Sequence, residues 1–72
     1  LKEEERQLFE ALRDRALRGE DPQQHSTRVL AQALEIPPQR AHAYCSKWAD
    51  RQLYRFEIDP LQGELTDEGL AQ

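Results

Sequence analysis

Two adjacent prolines, Pro37 and Pro38, stand between Ile36 and a stretch with helical spacing. Proline fixes φ and has no N–H. Pro37 turns the residue before it away from helical geometry, and Pro38 suits a first helical turn, where the missing N–H has no partner to lose. The spacing predicts a helix from about Pro38 to Arg51, with Ala41, Tyr44, Cys45 and Trp48 at i, i+3, i+4 and i+7 on one face. Arg40, His42, Ala43, Ser46, Lys47, Asp50 and Arg51 fall on the other side. Beyond Arg51 the period drops to two, because Tyr54, Phe56 and Ile58 alternate with Arg55 and Glu57. That pattern predicts a strand over Tyr54–Ile58.

The rest of the chain supplies partners for these elements. Leu1 to Arg18 reads as a helix with Leu8, Phe9, Leu12, Ala16 and Leu17 as its apolar stripe. Its glutamates Glu3, Glu4 and Glu5 come first and Arg13, Arg15 and Arg18 last, which matches the helix dipole. Gly19 suits the left-handed position past the end. After a polar loop through Pro22, Thr27 is the expected N-cap of a second helix that ends near Leu34 or Glu35. Its apolar positions are Val29, Leu30, Ala33 and Leu34, and Ile36 follows as a buried anchor. The tight turn between this helix and the Pro38 helix is helix-turn-helix geometry. Asp59–Gly63 has turn chemistry, Glu64–Thr66 can return as an antiparallel strand, and Thr66-Asp67-Glu68 opens another helix with Leu70 tucked inward.

At 72 residues the chain has room for one small core, and 38% hydrophobic against 33% charged residues marks it as globular. A single cysteine cannot close an internal disulfide. This points to a reducing compartment, cytoplasmic, or nuclear in a eukaryote. No apolar run approaches membrane-spanning length, and no signal pattern opens the chain. The chain has no Met, begins at Leu1 and stops soon after a helix start. The expectation is a single domain spanning 1–72, excised from a longer protein. The net charge is −4, yet residues 37–56 carry Arg40, Lys47, Arg51 and Arg55 against Asp50 alone. Most of the positive field therefore falls on one segment of an acidic chain.

The order of these motifs resembles the winged-helix (winged helix-turn-helix) superfamily in its prokaryotic transcription-regulator form. Thr27-x-x-Leu30-Ala31 resembles the start of that family's second helix. Leu65-Thr66-Asp67-Glu68-Gly69 resembles its return strand and following helix. The resemblance implies an α+β, mainly α fold: three helices followed by a C-terminal β-hairpin wing. It departs from the family at Gln52, where Gly is common. A left-handed C-cap is less favourable for Gln, so the helix is expected to run directly into the strand.

The resemblance implies a duplex DNA-binding module of a transcription- or replication-related protein, reading with the 38–51 helix. Arg40, His42, Ala43, Ser46 and Lys47 would face the bases, with Arg51 and Arg55 on phosphates. The helix start at Ser26, Thr27 and Arg28 would receive a phosphate. The expected hairpin tip speaks against this role, since Asp59, Pro60, Leu61, Gln62, Gly63 and Glu64 bring two carboxylates and no cation toward DNA. A protein–protein interaction or dimerisation module that does not bind DNA is the alternative. Its partner would be another protein or another domain of the same chain.

No enzymatic chemistry is legible. His42 and Cys45 have i, i+3 spacing, but the other histidine, His25, lies in a distant loop, so neither a metal site nor any cofactor is expected. There is no Gly-rich phosphate loop and no Ser-His-Asp set. Trp48, Tyr54 and Phe56 are expected in the core rather than as stacking platforms.

Overall fold

A computed structural model describes residues 2–72; Leu1, placed in the first helix by its sequence, lies outside them. The architecture is α+β and mainly helical, in the order α1 (Glu3–Arg18), α2 (Thr27–Ala33), α3 (Pro38–Asp50), β1 (Tyr54–Arg55), β2 (Glu64–Leu65) and α4 (Asp67–Leu70). The strands pair antiparallel, Tyr54 opposite Leu65 and Arg55 opposite Glu64. A 3-10 turn, Pro60–Gln62, sits in the long connection between them. No helix among the described residues is long and apolar enough to cross a membrane.

Trp48 is at the centre. Its ring packs edge-on against Phe9 from α1 at 5.1 Å and Tyr54 from β1 at 6.1 Å, and stacks on Tyr44 at 6.3 Å. Leu8, Leu12, Ala31, Ile36, Ala41, Cys45, Leu61 and Leu65 complete the buried set. The α3 face read from spacing is the face that packs: Ala41, Cys45 and Trp48 are fully buried and Tyr44 half-buried. Pro37 precedes α3 and Pro38 opens it, as their chemistry requires.

All three long elements end in the same way. Gly19, Glu35 and Gln52 adopt left-handed φ of 68°, 59° and 64°. Gln52 N–H donates to the Ala49 carbonyl and Leu53 N–H to that of Trp48, the paired bonds of a Schellman ending. The helix therefore does not run on into the strand, and the expectation at Gln52 is corrected. Thr66 holds the turn in place, since its Oγ1 donates to the Gln52 carbonyl (2.6 Å) and its N–H to that of Leu53 (2.9 Å). Gly69 allows the approach, because a Cβ there would meet the Leu53 carbonyl oxygen.

Other expectations also change. The α1 stripe does not include Ala16 or Leu17, both exposed, the latter 72%; it runs through Glu5, Leu8, Phe9, Leu12 and Arg15. Ser26, not Thr27, caps α2, its Oγ accepting from Val29 N–H. In α2 the fully buried apolar residue is Ala31, while Val29 and Ala33 are exposed. The strand expected to reach Ile58 stops at Arg55, and its partner ends at Leu65. The connection does not project as a free tip. Leu61 folds inward to 3% exposure and the 3-10 turn packs on α2 and α3.

Candidate functional site

The surface to test is the outer side of α3 and the hairpin beside it. Gln39, Ala43, Ser46 and Asp50 recur at i, i+4, i+7 and i+11, a stripe opposite the buried one. It contains no cation and one carboxylate. Arg40 and Lys47, seven residues apart, occupy instead the flank turned toward α1.

Two successive glutamates of α1 hold that flank. Glu4 accepts from Arg40 through both oxygens (2.8 and 2.9 Å) and from Tyr44 Oη (2.7 Å). The hydrogen bonds from Arg40 and Tyr44 hold its carboxyl down to about 2. Glu5 is 1% exposed. Its Oε2 accepts from Trp48 Nε1 at 2.8 Å and its Oε1 from Lys47 Nζ at 2.8 Å. Burial raises the Glu5 pKa, but the bonds from Lys47 and Trp48 outweigh it and leave the carboxyl below its usual range. Moving Lys47 to an outside phosphate would strip a buried carboxylate of its counter-charge, an expensive state.

The remaining basic residues expected at DNA are also engaged, with one exception. Arg55 pairs with Glu64 across the ladder at 2.9 Å, and Arg28 with Asp59 at 3.4 Å. Arg51 is exposed, with no ion-pair partner among the described residues. His42 and Ala43 are exposed and Ser46 half-buried. Thr27 is no surface residue at all: it is 0% exposed and its Oγ1 lies 2.8 Å from Tyr54 Oη. Its expected phosphate contact, through the free N–H groups of the helix start, is corrected at Thr27 because the whole residue, N–H included, is closed off. The structure thus brings Arg40 and Lys47 together on one flank, sets Arg28 and Arg55 in separate ion pairs, and removes Thr27.

Three groups escaped sequence reasoning. Glu5 and Arg15 are charges within an apolar stripe. Arg15, 2% exposed, donates to the His25 carbonyl (2.9 Å) and the Gly63 carbonyl (2.8 Å), tying α1 to the α1–α2 loop and the hairpin. Stepping three residues back from Leu8 and three on from Leu12 lands on both, which is the signal available in the sequence. The third is the Tyr54 hydroxyl. It donates to the Pro60 carbonyl (2.6 Å) and accepts from Gly63 N–H (2.9 Å), with Thr27 as its third neighbour.

Cys45 is fully buried and burial pushes its thiol up to about 12, while His42 is exposed. Among the described residues no group of three or more His, Cys, Asp or Glu side chains could hold a metal ion. Comparison with family models, curated proteins and solved structures finds no match to this chain. The functional reading therefore rests on the geometry itself.

Proposed function

We propose that this chain is a protein-interaction module built on a winged-helix-type frame. The order α1-α2-α3-β1-β2-α4, with a tight α2–α3 turn, supports that frame. The observation that carries the functional reading is the commitment of α3's cations to α1. Lys47 serves the buried carboxylate of Glu5, and Arg40 is bidentate to Glu4. What α3 then offers outward is a small, uncharged-to-acidic stripe on a molecule of net charge −4, a poor match to a polyanion.

The second reading is duplex DNA binding, and Arg51 favours it, because it lies exposed at the end of α3 with no ion-pair partner among the described residues. Phosphate contacts release counterions, so this reading demands affinity that falls steeply with salt. Titrating labelled mixed-sequence duplex at low salt separates the two. The expected result is no saturable binding. Saturable, salt-sensitive binding that weakens in Arg51→Ala and Ser46→Glu overturns the protein-module reading in favour of DNA.

A further inference from the structure

A groove of about 580 Å³ runs between Pro22, in the loop before α2, and the hairpin residues on either side of the 3-10 turn. Phe56, Glu57, Ile58, Asp59 and Glu64 form much of its wall. Ile58 is 92% exposed, although large aliphatic side chains elsewhere in the hairpin, Leu61 and Leu65, are buried. Among the described residues Ile58 belongs neither to the buried core nor to the half-buried side chains packed on it. The lining carries three carboxylates against one guanidinium, Arg55, which Glu64 already engages. Asp59 is answered by Arg28, and Glu57 has no cationic partner among the described residues. The groove thus combines the apolar Phe56 and Ile58 with the uncompensated Glu57 carboxylate, and its complement is a ligand that carries positive charge beside apolar surface.

We infer that this groove docks an extended segment of a partner protein in which apolar residues alternate with Lys or Arg. The alternation follows from the wall itself. Phe56, Glu57 and Ile58 line it as apolar, acidic and apolar neighbours in the bend beyond β1, so a ligand answers them by setting a cation between apolar groups. Nucleic acid and acidic peptides are repelled by the same carboxylates. The inference rests on the protein-module reading and deepens it by naming a surface and a partner chemistry.

The test uses fluorescein-labelled peptide pools of about ten residues and fluorescence anisotropy with the 72-residue chain. One pool alternates Lys or Arg with Leu, Ile, Val or Phe. A second keeps the cations but replaces the apolar positions by Ser or Gly, and a third keeps the apolar positions but carries Asp or Glu. Binding of the first pool alone is expected, weakened at least about tenfold by Ile58→Ser and by Glu57→Lys, with thermal unfolding unchanged because both side chains are exposed. The inference is overturned if the first pool does not bind, if it binds both variants as tightly as the parent, or if the cation-only pool binds equally well. Peptide binding indifferent to Ile58 and Glu57 removes the groove but keeps the protein-module reading. Absence of peptide binding together with salt-sensitive duplex binding removes both.

Discussion

Glu5 Oε2 accepts a hydrogen bond from the indole N–H of Trp48 at 2.8 Å, where both residues are almost wholly excluded from solvent. The first turns of α1 are thereby locked to the centre of α3, with Lys47 closing the site from outside. Replacing Glu5 by Ala leaves the indole N–H unsatisfied and the Lys47 ammonium without its partner. A loss of about 2–4 kcal/mol is expected. Lys47→Ala should lose a similar amount, about 2–4 kcal/mol, because it leaves the buried Glu5 carboxylate without its counter-charge. Urea unfolding followed by the emission of the single tryptophan reads both values.

Acid should act through the same pair of glutamates. Glu4 falls from an ordinary 4.5 to about 2 in the fold, and Glu5 also shifts downward. A carboxyl whose folded value is depressed contributes stability that is complete above its unfolded value and vanishes as pH falls through the folded one. Stability should therefore decline between about pH 4.5 and pH 2. Glu4→Gln should flatten that decline, measured as urea midpoints across the range.

At the alkaline end the sign reverses. Burial raises the Cys45 thiol from 9.0 to about 12 and also raises the Tyr54 phenol above its ordinary value. Both neutral forms are favoured by folding, so their contribution is complete below the unfolded values and is lost as pH rises above about 9. At pH 8 a thiol reagent should modify Cys45 only at the rate at which the chain unfolds. Comparing modification kinetics with denaturant-jump unfolding checks this.

The helix endings permit a stabilising change. Glu35 and Gln52 hold left-handed φ without being glycine. Glu35→Gly and Gln52→Gly should each stabilise by about 0.5–1 kcal/mol, because the strain relieved exceeds the added freedom of the unfolded chain. Gly69→Ala should do the opposite, by about 2–4 kcal/mol, since its Cβ would meet the fixed Leu53 carbonyl. Thermal unfolding of the three variants tests both directions.

What the sequence made legible was largely what local chemistry decides alone. The Pro37-Pro38 start, the α3 core face, the Gly19 ending, the Ile36 anchor and the Thr66 cap all depend on a few neighbouring residues. The structure departs from local preference where tertiary contacts override it. Ser26 and Thr27 are both competent caps, and Thr27 was drawn inside by Tyr54 across 27 residues of chain. Gln52 takes a left-handed turn because Thr66 Oγ1 donates to its carbonyl from beyond the helix and Leu53 N–H closes the helix end on the Trp48 carbonyl. The α1 stripe runs through Glu5 and Arg15, whose charge alone predicts solvation, because partners from three other segments make their burial tolerable. Ion pairing within the fold also engages Arg28, Arg40, Lys47 and Arg55, four of the five cations expected at a DNA-reading face, which a count of charges along the chain does not reveal.

The Tyr54 hydroxyl joins Thr27 of α2, the Pro60 carbonyl and the Gly63 amide at a single oxygen. The hairpin connection cannot swing outward without breaking its two bonds to this oxygen and the packing of its 3-10 turn on α2. A visitor settling beside Ile58 thus finds a preset shape and forfeits little chain entropy of the host on arrival. Its capture rate should depend on encounter and charge steering, while its dwell time reports how well its own side chains fit.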